Sequence, residues 1–242
     1  MKHASPPAAP VTVQLRADLH HEGIGEMAAG IARELRQPLL AISSAAQLLR
    51  FRVAEDPVVE KNVGRILREV ERLNAFSSAL LDYASADALH LAPTDPDALW
   101  DEVLESERGR LESRALLVHR TRAEPTAHCS VDAAQLRRLF SELLENATEA
   151  APEGSDLVLQ SMLADDGAWR CQLRNGGAPL SGDALAHAFD LFFTTQGGNA
   201  GIGLALARRI AEDHGGSLTL ESGVDGTAAT LTLPASPSPR RA

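Results

Sequence analysis

Apolar residues recur at three- and four-residue steps near the start of the chain, at Ile24, Met27, Ile31, Leu35, Ile42 and Leu49 with Ala45 between them. That spacing predicts one helix with a continuous apolar stripe. Arg33 falls off the stripe, and Pro38, which has no N–H, is expected to bend the helix one turn beyond it. Ala54-Glu55-Asp56-Pro57 reads as a turn, with Asp56 as the N-cap of a second helix and Pro57 at its first position. Val59, Val63, Ile66, Val70, Leu73, Leu80 and Ala84 give that helix a matching stripe to about Ala86. Two such helices joined by a short turn cannot bury both stripes by themselves. The pattern therefore predicts two hairpins associating as a four-helix bundle, which makes the protein a homodimer.

From Leu89 the periodicity changes to alternating strands and helices, and Pro93 and Pro96 mark the boundary. A helix is expected from Ala98 to about Glu112 with Asp97 as its cap, then a strand from Leu116 to Thr121. Asp132 starts the next helix, which runs to about Ala150 ahead of Pro152. Leu157 to Leu163 and Trp169 to Leu173 alternate as an antiparallel pair around Asp165-Asp166-Gly167. A glycine-rich loop precedes a helix from Leu204 to about His214, Gly215-Gly216 stops it, and Ser217 to Ser222 with Thr227 to Leu233 form a last hairpin. The expected plan is a disordered tail over 1–12, a helical hairpin over 13–88, an α/β domain over 93–234 and a second tail over 235–242.

Composition narrows the class without naming the chemistry. The chain has 242 residues, 44% of them apolar and 23% charged, which suits two small globular domains. A formal net charge of −10 argues against a nucleic-acid surface. No run of about 18 apolar residues occurs, and MKHASPPAAP lacks the apolar core of a signal peptide, so a cytoplasmic protein with no membrane partner is expected. Cys129 and Cys171 are solitary, and both are read as small buried residues.

The segment GEMAAGIARELRQPL, residues 25–39, resembles the phosphoacceptor helix of sensor histidine kinases, with Arg33 standing where the histidine belongs. Glu34, Gln37, Pro38 and Leu39 all fit the family's pattern. A guanidinium stays protonated at physiological pH and offers no lone pair to attack phosphorus, so Arg33 cannot serve as acceptor. The resemblance implies that Glu34, beside the acceptor position, acts as a general base or an organiser of phosphoryl transfer. It implies that Gln37 orients the water that dephosphorylates a response regulator, chemistry that needs no histidine nucleophile. His20 and His21 lie about 18 Å before Arg33 along the helix, too far to replace it.

The second half is similar to the ATP-binding domain shared by histidine kinases, gyrase, the heat-shock chaperone and mismatch-repair ATPases. ELLENATEA resembles the asparagine box, RNGGAPL the first glycine box, FDLFFTT through Thr195 the phenylalanine box, and NAGIGLALARRIAEDHGG the second glycine box. Four motifs in order are far more specific than a lone glycine pattern. The resemblance implies that Asn146 gives an oxygen to Mg²⁺ on the phosphates of ATP and that Glu142, one turn earlier, activates water. Asn175 stands where an aspartate normally accepts from the adenine amino group and so loses charge assistance. Gly177, Gly201 and Gly203 are kept, while Pro179, Asn199 and Gln196 replace two glycines and a lysine. At about 1 kcal/mol for each loss, a micromolar nucleotide affinity moves toward millimolar, so ATP and Mg²⁺ are expected to bind weakly or not at all.

What the resemblance implies as a whole is a degenerate member of two-component signalling that docks a response-regulator receiver domain or an intact histidine kinase. Dephosphorylation of the receiver is its expected chemistry. Two alternatives compete: a non-enzymatic dimeric scaffold, and a residual kinase or ATPase acting on a partner's histidine. With about a dozen residues ahead of the bundle, the input signal is expected from another protein.

Overall fold

The computed structural model describes residues 11–53, 56–84, 88–195 and 201–234. The side chains of residues 11–29 and of Arg33 lie outside the described residues, and with them the stripe positions Ile24 and Met27 and the histidines His20 and His21. Ala54, Glu55, Ala86, the Gln196 and Asn199 replacements and both expected tails also fall outside. The chain divides into two compact units, Met1–Asp87 and Ala88–Ala242.

The first unit is a hairpin of α1, Val11–Arg52, and α2, Pro57–Ala84. Asp56 caps α2 as expected, its Oδ1 accepting from Val58 N at 2.8 Å and Val59 N at 3.3 Å. Helix α1 continues through Pro38, so the missing N–H costs one helical bond without ending the element.

On α2 the expected stripe residues Val63, Val70 and Leu80 are buried, but on α1 the buried face differs from the predicted stripe. Ala32, Leu39 and Ala46 of α1 are buried, seven residues apart, against Val63, Val70 and Ser77 of α2 with the same spacing. A seven-residue repeat is what keeps one seam facing a partner helix. The stripe residues Ile31, Ile42 and Leu49, with Ile66 and Leu73 of α2, remain 40–50% exposed. Periodicity found the apolar surface but not which part α2 takes, because small alanines let the backbones approach where bulkier residues cannot. Ser77 Oγ donates to the Ala32 carbonyl across the seam at 2.8 Å.

The second unit is a two-layer α/β sandwich. Its elements are β1 (Ala92–Thr94), α3 (Pro96–Ser106), α4 (Arg108–Ser113), β2 (Leu117–Thr121), β3 (Cys129–Val131), α5 (Ala133–Ala150), β4 (Asp156–Leu163), β5 (Ala168–Asn175), α6 (Gly182–Ala186), α7 (Gly203–Asp213), β6 (Ser217–Gly223) and β7 (Gly226–Pro234). A five-stranded sheet runs β2-β4-β5-β7-β6, parallel at β2–β4 and antiparallel elsewhere, and β1 pairs with β3 in a small second sheet. Leu157, Leu159, Trp169 and Leu173 are buried beneath the helices. Trp100 of α3 stacks on Phe140 of α5 at 4.1 Å between ring centroids, and Trp169 of β5 lies 6.2 Å from Phe140.

Two expectations need correction, and one strand pair was not foreseen. The cap of α3 is Asp95, whose side chain accepts from Asp97 N at 2.9 Å, because Pro96 takes the first helical position and moves the start upstream. Asp97 is instead 2% exposed and anchors a polar knot. Its carboxylate accepts from Arg120, Ser161, Trp169 Nε1 and Ala123 N. The long helix expected to reach Glu112 breaks at Glu107 into α3 and α4. There Ser106 Oγ donates to the Val103 carbonyl at 2.8 Å and competes with the helical backbone. The pair β1–β3 escaped the sequence reading, since three-residue strands beside prolines carry too little alternation.

Candidate functional site

In the hairpin, backbone position 33 lies on α1 one turn before Gln37, and Glu34, Gln37 and Pro38 are all exposed. Pro38 supplies no N–H to the Glu34 carbonyl, so this turn presents an extra backbone acceptor to solvent. The Ser77 bond to Ala32 fixes the peptide just ahead of position 33.

In the second unit, α5 is amphipathic because Leu136, Leu139, Phe140, Leu143 and Leu144 bury one face. Glu142 and Asn146 are half-buried at its edge, one turn apart. Helix α7 begins at Gly203 with no side-chain cap, so its first-turn N–H groups have no side-chain acceptor from the cap residue Ile202. A Cβ on Gly203 would come within 2.5 Å of Glu142 Oε2, which brings the carboxylate against bare backbone at the start of α7.

The other motif residues gather around the same two helices. Asn175 ends β5, 7% exposed, and its Nδ2 donates to the Gly176 carbonyl at 2.6 Å. That leaves the amide oxygen as the group it offers to a donor. Gly177 has φ +129°, and a Cβ there would meet the Ala150 carbonyl at 2.6 Å, so only glycine allows the first glycine box to lie on the end of α5. Gly201 has φ +66°, its carbonyl accepts from Phe192 N at 2.8 Å, and Phe192 itself has φ +70°. The phenylalanine box and the second glycine box are thus bonded directly. Thr195 is exposed at the edge of the described residues.

Sequence reasoning missed the junction at Asp132. Its Oδ1 caps α5 through Ala134 N at 3.0 Å and Gln135 N at 3.2 Å, and its Oδ2 accepts from His90 N at 3.0 Å. Its own N–H donates to His214 Nε2 at 2.9 Å, while His214 Nδ1 faces the Ile210 carbonyl at 2.7 Å. His214 is 6% exposed, so this helix-end residue both meets the Ile210 carbonyl and packs. The His90 N–H, with help from Gln135 and Ala134, holds the Asp132 carboxyl below its ordinary value of 3.8 against the opposing effect of burial. A carboxyl lowered in the native state stabilises above its unfolded value and loses that contribution as pH falls through the native one. Acid titration downward from the ordinary carboxylate range should therefore weaken α5 protection more in the unaltered chain than in Asp132→Asn, read by amide exchange.

Residues 24–89 match the model of the His Kinase A (phospho-acceptor) domain, and residues 131–237 match that of the histidine kinase-, DNA gyrase B- and HSP90-like ATPase. The chain belongs to the sensor histidine kinase family. Among its relatives, sporulation kinase E of Bacillus subtilis is 27% identical over 214 residues, covering 87% of this chain and 28% of that protein. The histidine-protein kinase AtoS of Escherichia coli is 27% identical over 211 residues, covering 87% and 34%. The sensor protein FixL of Bradyrhizobium diazoefficiens is 29% identical over 236 residues, covering 92% and 46%. The chain thus spans less than half the length of these relatives. Full-length ShkA, solved in complex with AMPPNP, superposes with a TM-score of 0.71 at 24% identity, covering 88% of this chain and 46% of that one. ThkA, solved in complex with the response regulator protein TrrA, gives 0.67 at 22%, covering 96% and 66%. These likenesses bear out the hairpin and sandwich folds of this family member.

The retained residues fit a nucleotide's phosphates. Gly203 bares backbone at an uncapped helix start, and the half-buried Asn146 on the adjoining helix keeps an amide oxygen for a cation. Among the described residues no cluster of three or more His, Cys, Asp or Glu side chains is arranged to hold a metal by itself, and no helix is long and apolar enough to cross a membrane.

Proposed function

We propose that this chain is a histidine-kinase-like protein of two-component signalling that cannot phosphorylate itself at the family's acceptor position. It acts instead by docking a response-regulator receiver domain and dephosphorylating it. The observation that carries this reading is Arg33 inside a matched phosphoacceptor domain, with exposed Glu34 beside it and exposed Gln37 one turn later. In this chemistry Gln37 holds a water in line with the receiver's phosphoaspartate, and Glu34 takes the water's proton as its oxygen bonds phosphorus. The bond from phosphorus to the aspartyl oxygen then breaks, leaving a carboxylate and inorganic phosphate. The solved complex of ThkA with TrrA supports a receiver as partner. The exposed stripe of Ile31, Ile42, Leu49, Ile66 and Leu73 supports homodimerisation through a four-helix bundle.

Incubation with a phosphorylated cognate receiver tests the claim. The phosphoaspartate lifetime should shorten with the unaltered chain and recover with Gln37→Ala by roughly ten-fold or more, the scale of a lost positioning contact. An unchanged lifetime removes the phosphatase claim and leaves a binding scaffold, or a partner for an intact kinase.

The nucleotide half favours a second reading. Asn146, Glu142 and Gly203 remain together, and ShkA was solved with an ATP analogue, which supports retained ATP binding and with it a residual kinase or ATPase acting on a partner's histidine. Mg²⁺, when bound with the nucleotide, would screen phosphate charge, and Asn146 is the residue that would hold it. Calorimetry with ATP and Mg²⁺ should give a dissociation constant nearer millimolar than micromolar, reflecting the neutral Asn175. No heat at millimolar nucleotide defeats this second reading.

A further inference from the structure

Helices α5 and α7 run antiparallel and touch through polar groups at both ends. At one end Glu142 lies on Gly203; at the other the Asp132 N–H meets His214. Glu142 is ten residues beyond Asp132 and Gly203 eleven before His214, so the two rungs stand about 15 Å apart. The far rung carries an additional tie. Asp132 Oδ2 accepts from the backbone N–H of His90, three residues into the second unit; the His90 side chain is 92% exposed with its Nδ1 3.8 Å from the same oxygen, and two residues on Ala92 pairs with Val131, next to Asp132.

His214 can accept from Asp132 only through a lone pair on Nε2, which places its proton on Nδ1 facing the Ile210 carbonyl. The end of α7 is thereby fixed to the start of α5, and Asp132 holds three partners with its two carboxylate oxygens and a fourth with its N–H. A displacement of the segment at His90 acts on the cap of α5 first. Because the helices are stiff, it alters their alignment at the Glu142–Gly203 end as well.

We propose that Asp132 is a positioning residue for the nucleotide site, through which the segment at His90 sets the alignment of α5 against α7 and thereby the affinity for nucleotide. This rests on the reading of Glu142, Asn146 and Gly203 as a nucleotide site, and extends it by naming what adjusts that site. The coupling is bounded by the bond that transmits it.

The test compares the full chain with Asp132→Asn and Asp132→Ala. Asparagine caps a helix as well as aspartate, so Asp132→Asn keeps an oxygen for Ala134 and Gln135 but sets an NH₂ group where His90 N–H needs an acceptor. Its melting temperature should fall by less than that of Asp132→Ala, which loses the cap as well as the His90 acceptor. In Asp132→Asn the His90 amide should exchange faster, and affinity for AMPPNP with Mg²⁺ should fall about 2- to 10-fold, the range one lost hydrogen bond allows. Protection of Leu206, whose N–H bonds the Ile202 carbonyl at 2.9 Å in the first turn of α7, should fall with it. Faster exchange at His90 with affinity and Leu206 protection both at the unaltered level overturns the proposal. Should the unaltered chain bind no nucleotide, the nucleotide reading falls by itself. Leu206 protection then decides the coupling, a loss supporting it and no change overturning it.

Discussion

Arg33→His should let the acceptor helix take up phosphate from ATP. Removing a nucleophile costs on the order of 10⁶ in kcat where it has been done in a hydrolase, because no neighbouring group substitutes for the missing lone pair. Restoring an imidazole nitrogen on the turn that already carries Glu34 and Gln37 should therefore lift radiolabel incorporation from background to a signal proportional to protein. The label should be absent from Arg33→Ala. The assay uses millimolar ATP, to saturate the site at the affinity proposed above. Label on Arg33→His shows that the nucleotide half is competent and that only the acceptor was lost. Its absence at saturating nucleotide shows that both halves are inert as a kinase. Label on a histidine of the unaltered chain, with no second kinase present, would refute the acceptor argument outright.

Asp97→Ala should be the most destabilising single change in the second unit. The carboxylate is 2% exposed and accepts from Arg120, Ser161, Trp169 and the Ala123 backbone, which ties α3 to β2, β4 and β5. Removing it takes the buried carboxylate from the Arg120 guanidinium, whose Nε already has no hydrogen-bond partner, and leaves it the Thr121 carbonyl at 2.6 Å, Ser161 Oγ at 3.3 Å and the more distant Asp101 carboxylate at 3.6 Å. Breaking a buried pair from one side costs about 3–5 kcal/mol, which for a unit of this size lowers the melting temperature by roughly 10–15 °C. Ser161→Ala removes one bond and should cost about 1 kcal/mol. Urea denaturation of both variants checks the ranking; a loss below about 1 kcal/mol for Asp97→Ala would show that water replaces the carboxylate without penalty.

Local rules made much of this molecule readable. Asp56 before Pro57, Asp132 before α5 and the Asp165-Asp166-Gly167 turn each act over two or three residues, so their sequence suffices. The motif residues Glu142, Asn146, Gly201 and Gly203 were legible as a set because their order is unusual, and the structure brings Glu142 onto Gly203. What could not be read depends on partners far along the chain. Asp97 has the same signature as a helix cap, and only Arg120, Ser161 and Trp169, 23 to 72 residues away, reveal it as a buried anchor. The Asp132 junction combines His90 with His214, 42 and 82 residues distant. The α1 seam failed for another reason: helical period reports that a surface is apolar, and α1 has more apolar surface than α2 can cover.

That seam also limits how the hairpin can move. Between the small alanines at positions 32 and 46 the buried Leu39 is the bulky side chain of this seam, so rolling α1 about its own axis would carry it out of its apolar surroundings. Axial travel is opposed too, because it pulls the Ala32 carbonyl away from the buried Ser77 hydroxyl and strands both. The hairpin is thereby pinned at this seam against turning as well as sliding.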